Sequence, residues 1–281
     1  MNHDFLSQLN PDQTKAVTFG NGPLLILAGA GSGKTRALTY RAAYLILEKK
    51  VDPSQILLVT FTNKAASEMK NRLRQLISAN AVPFAGTFHS FCAKVLRREG
   101  KHIGIAANFV IFDELDQLDT VKQIMRQLNI TNFKPGSILN AISGAKNELL
   151  SPSEYYSYAK SYFTKTVAQV YPAYEKLLKE CNGLDFDDLL LKTVNLFLSQ
   201  NDILAKYQRQ LSFILVDEYQ DTNKAQYELT RLLAKAHKNI TVVGDCSQSI
   251  YSWRGADFRN ILKLQEDFPN LTTINLERNY R

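Results

Sequence analysis

Cysteine is scarce in this chain, with Cys92, Cys181 and Cys246 the only three among 281 residues. The number is odd and the spacing wide, which excludes a disulfide framework and CxxC-type zinc or iron–sulfur sites. Histidine is as sparse, and His3, His89, His102 and His237 show no ligand spacing. No apolar run approaches the roughly 20 residues that span a bilayer. The opening MNHDFLSQLNPDQ lacks the basic start and apolar core of a secretory signal, so the expected compartment is the cytoplasm. Internal repeats, low-complexity tracts and disordered linkers are also missing. Tryptophan occurs once, at Trp253.

What is present describes a globular chain with a substantial core. Hydrophobic residues make up 45% and charged residues 22%, with mean hydropathy −0.22; disordered chains fall well outside that balance. The net charge of +7 suits a polyanionic partner, although charge alone is a weak signal.

Patterning predicts a divided α/β architecture. PLLILAG (Pro23–Gly29) and ILLVTF (Ile56–Phe61) read as buried strands, and 34–49 reads as a helix. Residues 64–77 carry Ala65, Met69, Leu73 and Leu76 at helical spacing. The alternation predicts a parallel sheet with crossover helices. Between about Ser90 and Gln210 helical periodicity dominates, and Tyr155, Tyr156, Tyr158, Tyr162, Tyr171 and Tyr174 read as core and interface residues. Strand patterns return with FILVDE (Phe213–Glu218), ITVVGD (Ile240–Asp245) and LTTINL (Leu271–Leu276). The expected division is 1–89, a mainly helical insertion over 90–210, and 211–281.

Two stretches carry chemistry. AGAGSGKT joins the first strand to the first long helix and comprises Ala28, Gly29, Ala30, Gly31, Ser32, Gly33, Lys34 and Thr35. Glycines let successive backbone N–H groups curl around phosphate oxygens, and the helix N-terminus adds a favourable dipole. Lys34 suits β- and γ-phosphates, and the Thr35 hydroxyl suits Mg²⁺. Ala28 stands where the strict pattern has glycine, which affects only the opening of the loop. FILVDEYQDT then ends a strand on an acid. Asp217 is expected to hold the metal, and Glu218 to orient or deprotonate an attacking water. The chemistry implied is hydrolysis of a nucleoside triphosphate.

The motifs in their order resemble the UvrD/Rep/PcrA family of superfamily 1 DNA helicases. LNPDQTKAV is similar to that family's Q motif, AGAGSGKT to motif I, TFTNKAA to motif Ia and GTFHSF to motif Ib. DEYQDT is similar to motif II, VVGDCSQSIYSWRGAD to motif III and LERNYR to motif IV. The resemblance implies a RecA-like P-loop NTPase domain, 1A, carrying the inserted subdomain 1B. It implies ATP and Mg²⁺ as cofactors, with 3′ to 5′ translocation on single-stranded DNA and action at single-strand/duplex junctions. Gln13 is then expected to read the adenine edge, Tyr280 to stack on adenine and Arg36 to lie on its other face. Gln248 is expected to sense the γ-phosphate and Arg281 to reach it as an arginine finger. Phe61, Asn63, His89, Ser90, Tyr251, Trp253 and Arg254 are expected along the DNA track. Base stacking fits an enzyme indifferent to sequence, because every base offers a π-face.

One departure lies in motif III, where Cys246 and Ser247 precede Gln248 and family members often carry an acid. Domains 2A and 2B and the later motifs are not within these residues, so the expectation is an N-terminal portion of a longer helicase that does not unwind duplex by itself. Three other readings stay open: a P-loop nucleotide kinase, the nuclease-fused branch similar to RecB or AddA, and, for the fragment alone, a nucleotide- and DNA-binding module.

Overall fold

The computed structural model describes residues 5–29, 31–77, 82–245 and 259–278. In chain order the elements are α1 (Pro11–Thr18), β1 (Leu24–Ala28), α2 (Lys34–Leu47), β2 (Ile56–Thr60), α3 (Asn63–Ile77), β3 (Phe84–Thr87) and α4 (Phe88–Glu99). They continue with β4 (Val110–Phe112), α5 (Glu114–Gln127), α6 (Pro135–Asn147), α7 (Pro152–Tyr158), α8 (Tyr162–Glu180), β5 (Gly183–Asp185), α9 (Phe186–Ser199) and α10 (Asn201–Gln210). The last are β6 (Phe213–Val216), α11 (Lys224–Ala234), β7 (Ile240–Gly244), α12 (Arg259–Asp267) and β8 (Thr272–Leu276).

Contacts divide the chain into two compact units. One takes in the described residues of Met1–Ser90, Asn201–Thr222 and Gln226–Arg281, and the other Phe91–Gln200 with Asn223–Ala225. Helix α10 therefore falls in the first unit and not in the insertion, where the sequence pattern assigned it. It is held there by buried Ile203 and Tyr207 and by Gln208 Nε2, which donates to the Leu232 carbonyl at 2.8 Å.

The first unit is built on a six-stranded sheet of order β3-β2-β6-β7-β1-β8, and every pairing is parallel. Inner strands of such a sheet are covered on both faces, so they read as continuous apolar runs. LLILA, ILLVT, FILV and ITVVG do so, and nearly all their residues are buried. The β8 strand, at an edge, alternates instead, with Ile274 and Leu276 inward. The other edge strand, β3, escaped the sequence pattern because FAGT is short and half-exposed. Helix α3 packs Ala66, Met69, Leu73 and Ile77 inward. The buried stripe is thus rotated slightly from the Ala65–Leu76 face that spacing alone suggested.

The second unit is mainly helical. Its core gathers Val121, Ile124, Ile138, Ile142, Val167, Val170, Tyr171, Tyr174 and Leu178. Strands β4 and β5 add a two-stranded parallel ladder that the sequence did not suggest. Gly183 in β5 makes room for the Phe112 ring, since a Cβ would stand 2.5 Å from it and force it to shift. The helices start on sequence-legible caps: Asp113, Ser151, Ser161 and Asp185 each form a capping box. The tyrosine cluster is divided. Tyr171 and Tyr174 are fully buried, whereas Tyr156, Tyr158 and Tyr162 are about 70% exposed and are not core residues.

Candidate active site

Parallel pairing puts the C-terminal ends of all six strands of the large sheet on one rim, where α/β proteins of this kind bind ligands. The β1 strand delivers Ala28 and Gly29 there, and the chain turns through Gly31 at φ 77°. Gly33, at φ 84°, forms the N-cap of α2 in the left-handed region. A Cβ at Gly33 would sit 2.7 Å from Gln13 Nε2. The loop is braced internally, because Ser32 Oγ donates to the Gly29 carbonyl at 2.7 Å.

Gln13 is buried against this loop. Its Nε2 donates to the Ser32 carbonyl at 3.1 Å, while its Oε1 accepts from the Asn10 N–H at 3.3 Å. Those bonds make Gln13 both the third residue of a capping box and a brace for the loop. The Arg36 guanidinium donates to the Gln8 carbonyl at 2.8 Å and lies 5.2 Å from the Tyr40 ring centre. Gln13 and Arg36 thus flank the start of α2 on the side of α1.

Lys34 and Thr35 meet the acidic strand ends. Thr35 Oγ1 donates to Asp217 Oδ2 at 2.9 Å. Lys34 is buried, with Nζ 3.3 Å from Glu218 Oε2 and 3.8 Å from Asp245 Oδ2. These groups converge from different strands, Asp217 and Glu218 following β6, Asp245 following β7, and the loop following β1. The Asp217 carboxyl is pushed up to about 7, first by burial and then by the neighbouring Glu218 carboxylate. Its Oδ1 is buried and has no hydrogen bond among the described residues. A buried carboxylate oxygen with no donor, beside a hydroxyl oxygen, is a donor set suited to a hard divalent cation. No group of three or more His, Cys, Asp or Glu side chains able to hold a metal occurs among the described residues.

Glu218 adopts φ 49° and ψ 46°, a left-handed conformation unusual outside glycine. Gln220, two residues further along in the following turn, is not marked by the sequence pattern. Its side chain donates to Glu218 Oε2 at 2.9 Å and to Asp221 Oδ2 at 3.2 Å, and accepts from the Asp245 N–H at 3.0 Å. The only signal was its place inside DEYQDT.

The four expected DNA-track residues that are described fall near neighbouring strand ends. Phe61 and Asn63 follow β2, while His89 and Ser90 lie in the first turn of α4 after β3. Thr60 pairs with Thr87, so the two segments emerge side by side. The Phe61 ring meets buried Phe88 edge-on at 5.9 Å. Asn63 is exposed and His89 half-buried. Ser90 is exposed, and its N–H and hydroxyl bond back to Thr87, which gives this turn a helix-starting role as well. Ala30, Gln248, Tyr251, Trp253, Arg254, Tyr280 and Arg281 lie outside the described residues.

A glycine-rich loop that opens a helix at the rim of a parallel sheet, faced by an acid from a nearby strand, defines the P-loop class of α/β proteins. Within that class the relationship is specific. Residues 9–269 match the UvrD/REP helicase N-terminal domain, and the chain belongs to that family. It is 50% identical to the ATP-dependent DNA helicase PcrA of Bacillus subtilis (strain 168) over 284 residues, covering 100% of this chain and 38% of that protein. It is likewise 50% identical over 279 residues to the ATP-dependent DNA helicase PcrA of Staphylococcus aureus (strain NCTC 8325 / PS 47), covering 98% of this chain and 38% of the relative. The chain therefore spans well under half the length of these curated relatives.

Proposed function

We propose that this chain is the ATP-hydrolysing motor portion of a DNA helicase that moves 3′ to 5′ on single-stranded DNA and opens duplex at single-strand/duplex junctions. The observation that carries the reading is the pairing of Thr35 with Asp217 at 2.9 Å and of Lys34 with Glu218 at 3.3 Å at the mouth of the phosphate loop. The family relationship supports the DNA half of it.

In this reading the backbone N–H groups of residues 29–35 and the Lys34 ammonium bind the β- and γ-phosphates. Thr35 and Asp217 would hold Mg²⁺, which neutralises charge on the phosphate oxygens when bound. Glu218 orients the attacking water and takes its proton as the γ-phosphoryl transfers. Lys34 must leave its carboxylate partners for the phosphates, so nucleotide binding exchanges one set of anions for another. Gln13, Arg36 and Tyr280 serve the adenine; Gln248 and Arg281 serve the γ-phosphate. Phe61, Asn63, His89, Ser90, Tyr251, Trp253 and Arg254 form the DNA track. The remaining helicase domains of the natural protein complete the nucleotide cleft, and the protein works in the cytoplasm. Among the described residues no helix is long and apolar enough to cross a membrane.

The test is steady-state ATP hydrolysis by the natural protein carrying this sequence, with and without single-stranded DNA. We expect DNA to raise the rate, and Lys34→Ala to abolish hydrolysis in both conditions. A rate indifferent to DNA would leave only a generic P-loop ATPase.

A further inference from the structure

We infer that Gln220 is a positioning residue for hydrolysis, holding the Glu218 carboxylate in place independently of Lys34. The inference deepens the function proposed above and rests on it. Among the described residues, Glu218 Oε2 has two neighbours, Lys34 Nζ at 3.3 Å and Gln220 Nε2 at 2.9 Å. Lys34 is the group that phosphate must recruit, so binding of nucleotide removes the first anchor. Among the described residues, Gln220 is then the anchor that remains.

Its own position is fixed from several sides. Gln220 is about 1% exposed. Its Oε1 accepts from the Asp245 N–H at 3.0 Å, which fastens it to the end of β7. That bond sets the amide so that Nε2 faces Glu218 and Asp221. Gly244 permits the close approach, because a Cβ there would stand 3.2 Å from Gln220 Oε1. A side chain locked in this way can hold a flexible carboxylate at one location. The need is real, since Glu218 sits in a left-handed backbone conformation at the junction of β6 and a short 3₁₀ turn, Tyr219–Asp221. Strained residues of this sort persist where surrounding structure over-determines them. A glutamine suits the position better than a carboxylate would. It donates to two acids and accepts from a backbone N–H at once, which neither Glu nor an apolar residue can do.

The experiment compares Gln220→Glu and Gln220→Met in the natural protein. Gln220→Glu keeps shape and the acceptor toward Asp245 but turns the donor into a third carboxylate. Gln220→Met removes all three bonds at similar volume. We expect kcat for ATP to fall about ten- to a hundredfold, the usual effect of losing a supporting contact. Affinity for a non-hydrolysable ATP analogue should stay within twofold, and Tm should stay within a few degrees for Gln220→Glu. In single turnover, the Glu218→Gln, Gln220→Met double variant should be no slower than Glu218→Gln alone. The inference is overturned if both variants keep a wild-type kcat, if kcat falls only in step with affinity and Tm, or if the double variant's losses add. A parent enzyme whose hydrolysis survives Lys34→Ala would instead overturn the function on which the inference rests.

Discussion

At the scale of single residues, the phosphate loop is a set of steric permissions. Gly33 is the tightest of them. Its φ of 84° disfavours any L side chain, and a Cβ would press on Gln13 Nε2 at 2.7 Å. Gly33→Ala is therefore expected to lower stability by about 1–2 kcal/mol through the left-handed backbone alone. It should also push Gln13 off the Ser32 carbonyl and weaken ATP binding at least tenfold. Thermal melting and nucleotide titration check the two effects separately. Arg41 shows a purely structural charge by contrast. It is fully buried, with its guanidinium donating to Thr241 Oγ1 and to the carbonyls of Val17, Phe19 and Gly20. Burial lowers its pKa to about 10. A buried cation is thus no pointer to function by itself; Lys34 stands out because its partners are acids at a glycine-rich loop.

Elements carry the next level, and the helical unit is organised around a buried ammonium. Lys146, near the end of α6, is fully buried, 2.6 Å from Glu175 of α8, 2.7 Å from Asp185 of β5 and 3.0 Å from Asp188 of α9. Lys192 adds a second cation against Glu175 and Asp188, and the Tyr174 hydroxyl donates to Asp185. The titrations oppose one another. Glu175 lies below its usual 4.5, held there by Lys146 and Lys192 against the cost of burial, so its stabilisation is present above that pH and lost as pH falls. Asp188 is pushed up to about 6 by burial, so its ionisation costs stability as pH rises from 3.8 through that value. Lys146 is held well above 10.5 by the three carboxylates despite burial, so its contribution persists throughout the neutral range. Replacing it with methionine leaves buried Asp185 and Asp188 and half-buried Glu175 short of a cation, with an expected cost of about 3–5 kcal/mol at pH 8. The loss should shrink toward pH 5, where the orphaned acids take up protons. Chemical denaturation of Lys146→Met and the parent at both pH values measures it, and a pH-independent difference would contradict the account.

For this chain as a whole, the net charge of +7 predicts how the proposed DNA binding should behave. Affinity for single-stranded DNA should fall steeply with salt, because neutralised phosphates release counterions. Titrations between 50 and 200 mM salt should give a linear log–log plot, with about 0.7 of slope per phosphate contacted. Oligonucleotides of different sequence should share that slope, since stacking tolerates any base. A flat salt response would remove DNA from the proposed track along Phe61, Asn63, His89 and Ser90.

Much of this was legible in the residues themselves. Short continuous apolar runs such as LLILA and FILV, bounded by turn and acidic residues, fit buried parallel strands, and AGAGSGKT declares its turn because glycines at fixed spacing have few other uses. The edge strand β3 and the β4–β5 ladder were not legible, because short strands with exposed faces lose the contrast that periodicity needs. The place of α10 in the first unit was hidden too, since helical spacing does not say which core a stripe will join. Sequence determined which side chains could serve phosphate, metal and water. Only the tertiary structure decided that Gln220 faces Glu218 while Lys34 spans two acids. The Lys34 contacts join the loop after β1 to the ends of β6 and β7, strands far apart in the chain that become neighbours only when the sheet forms.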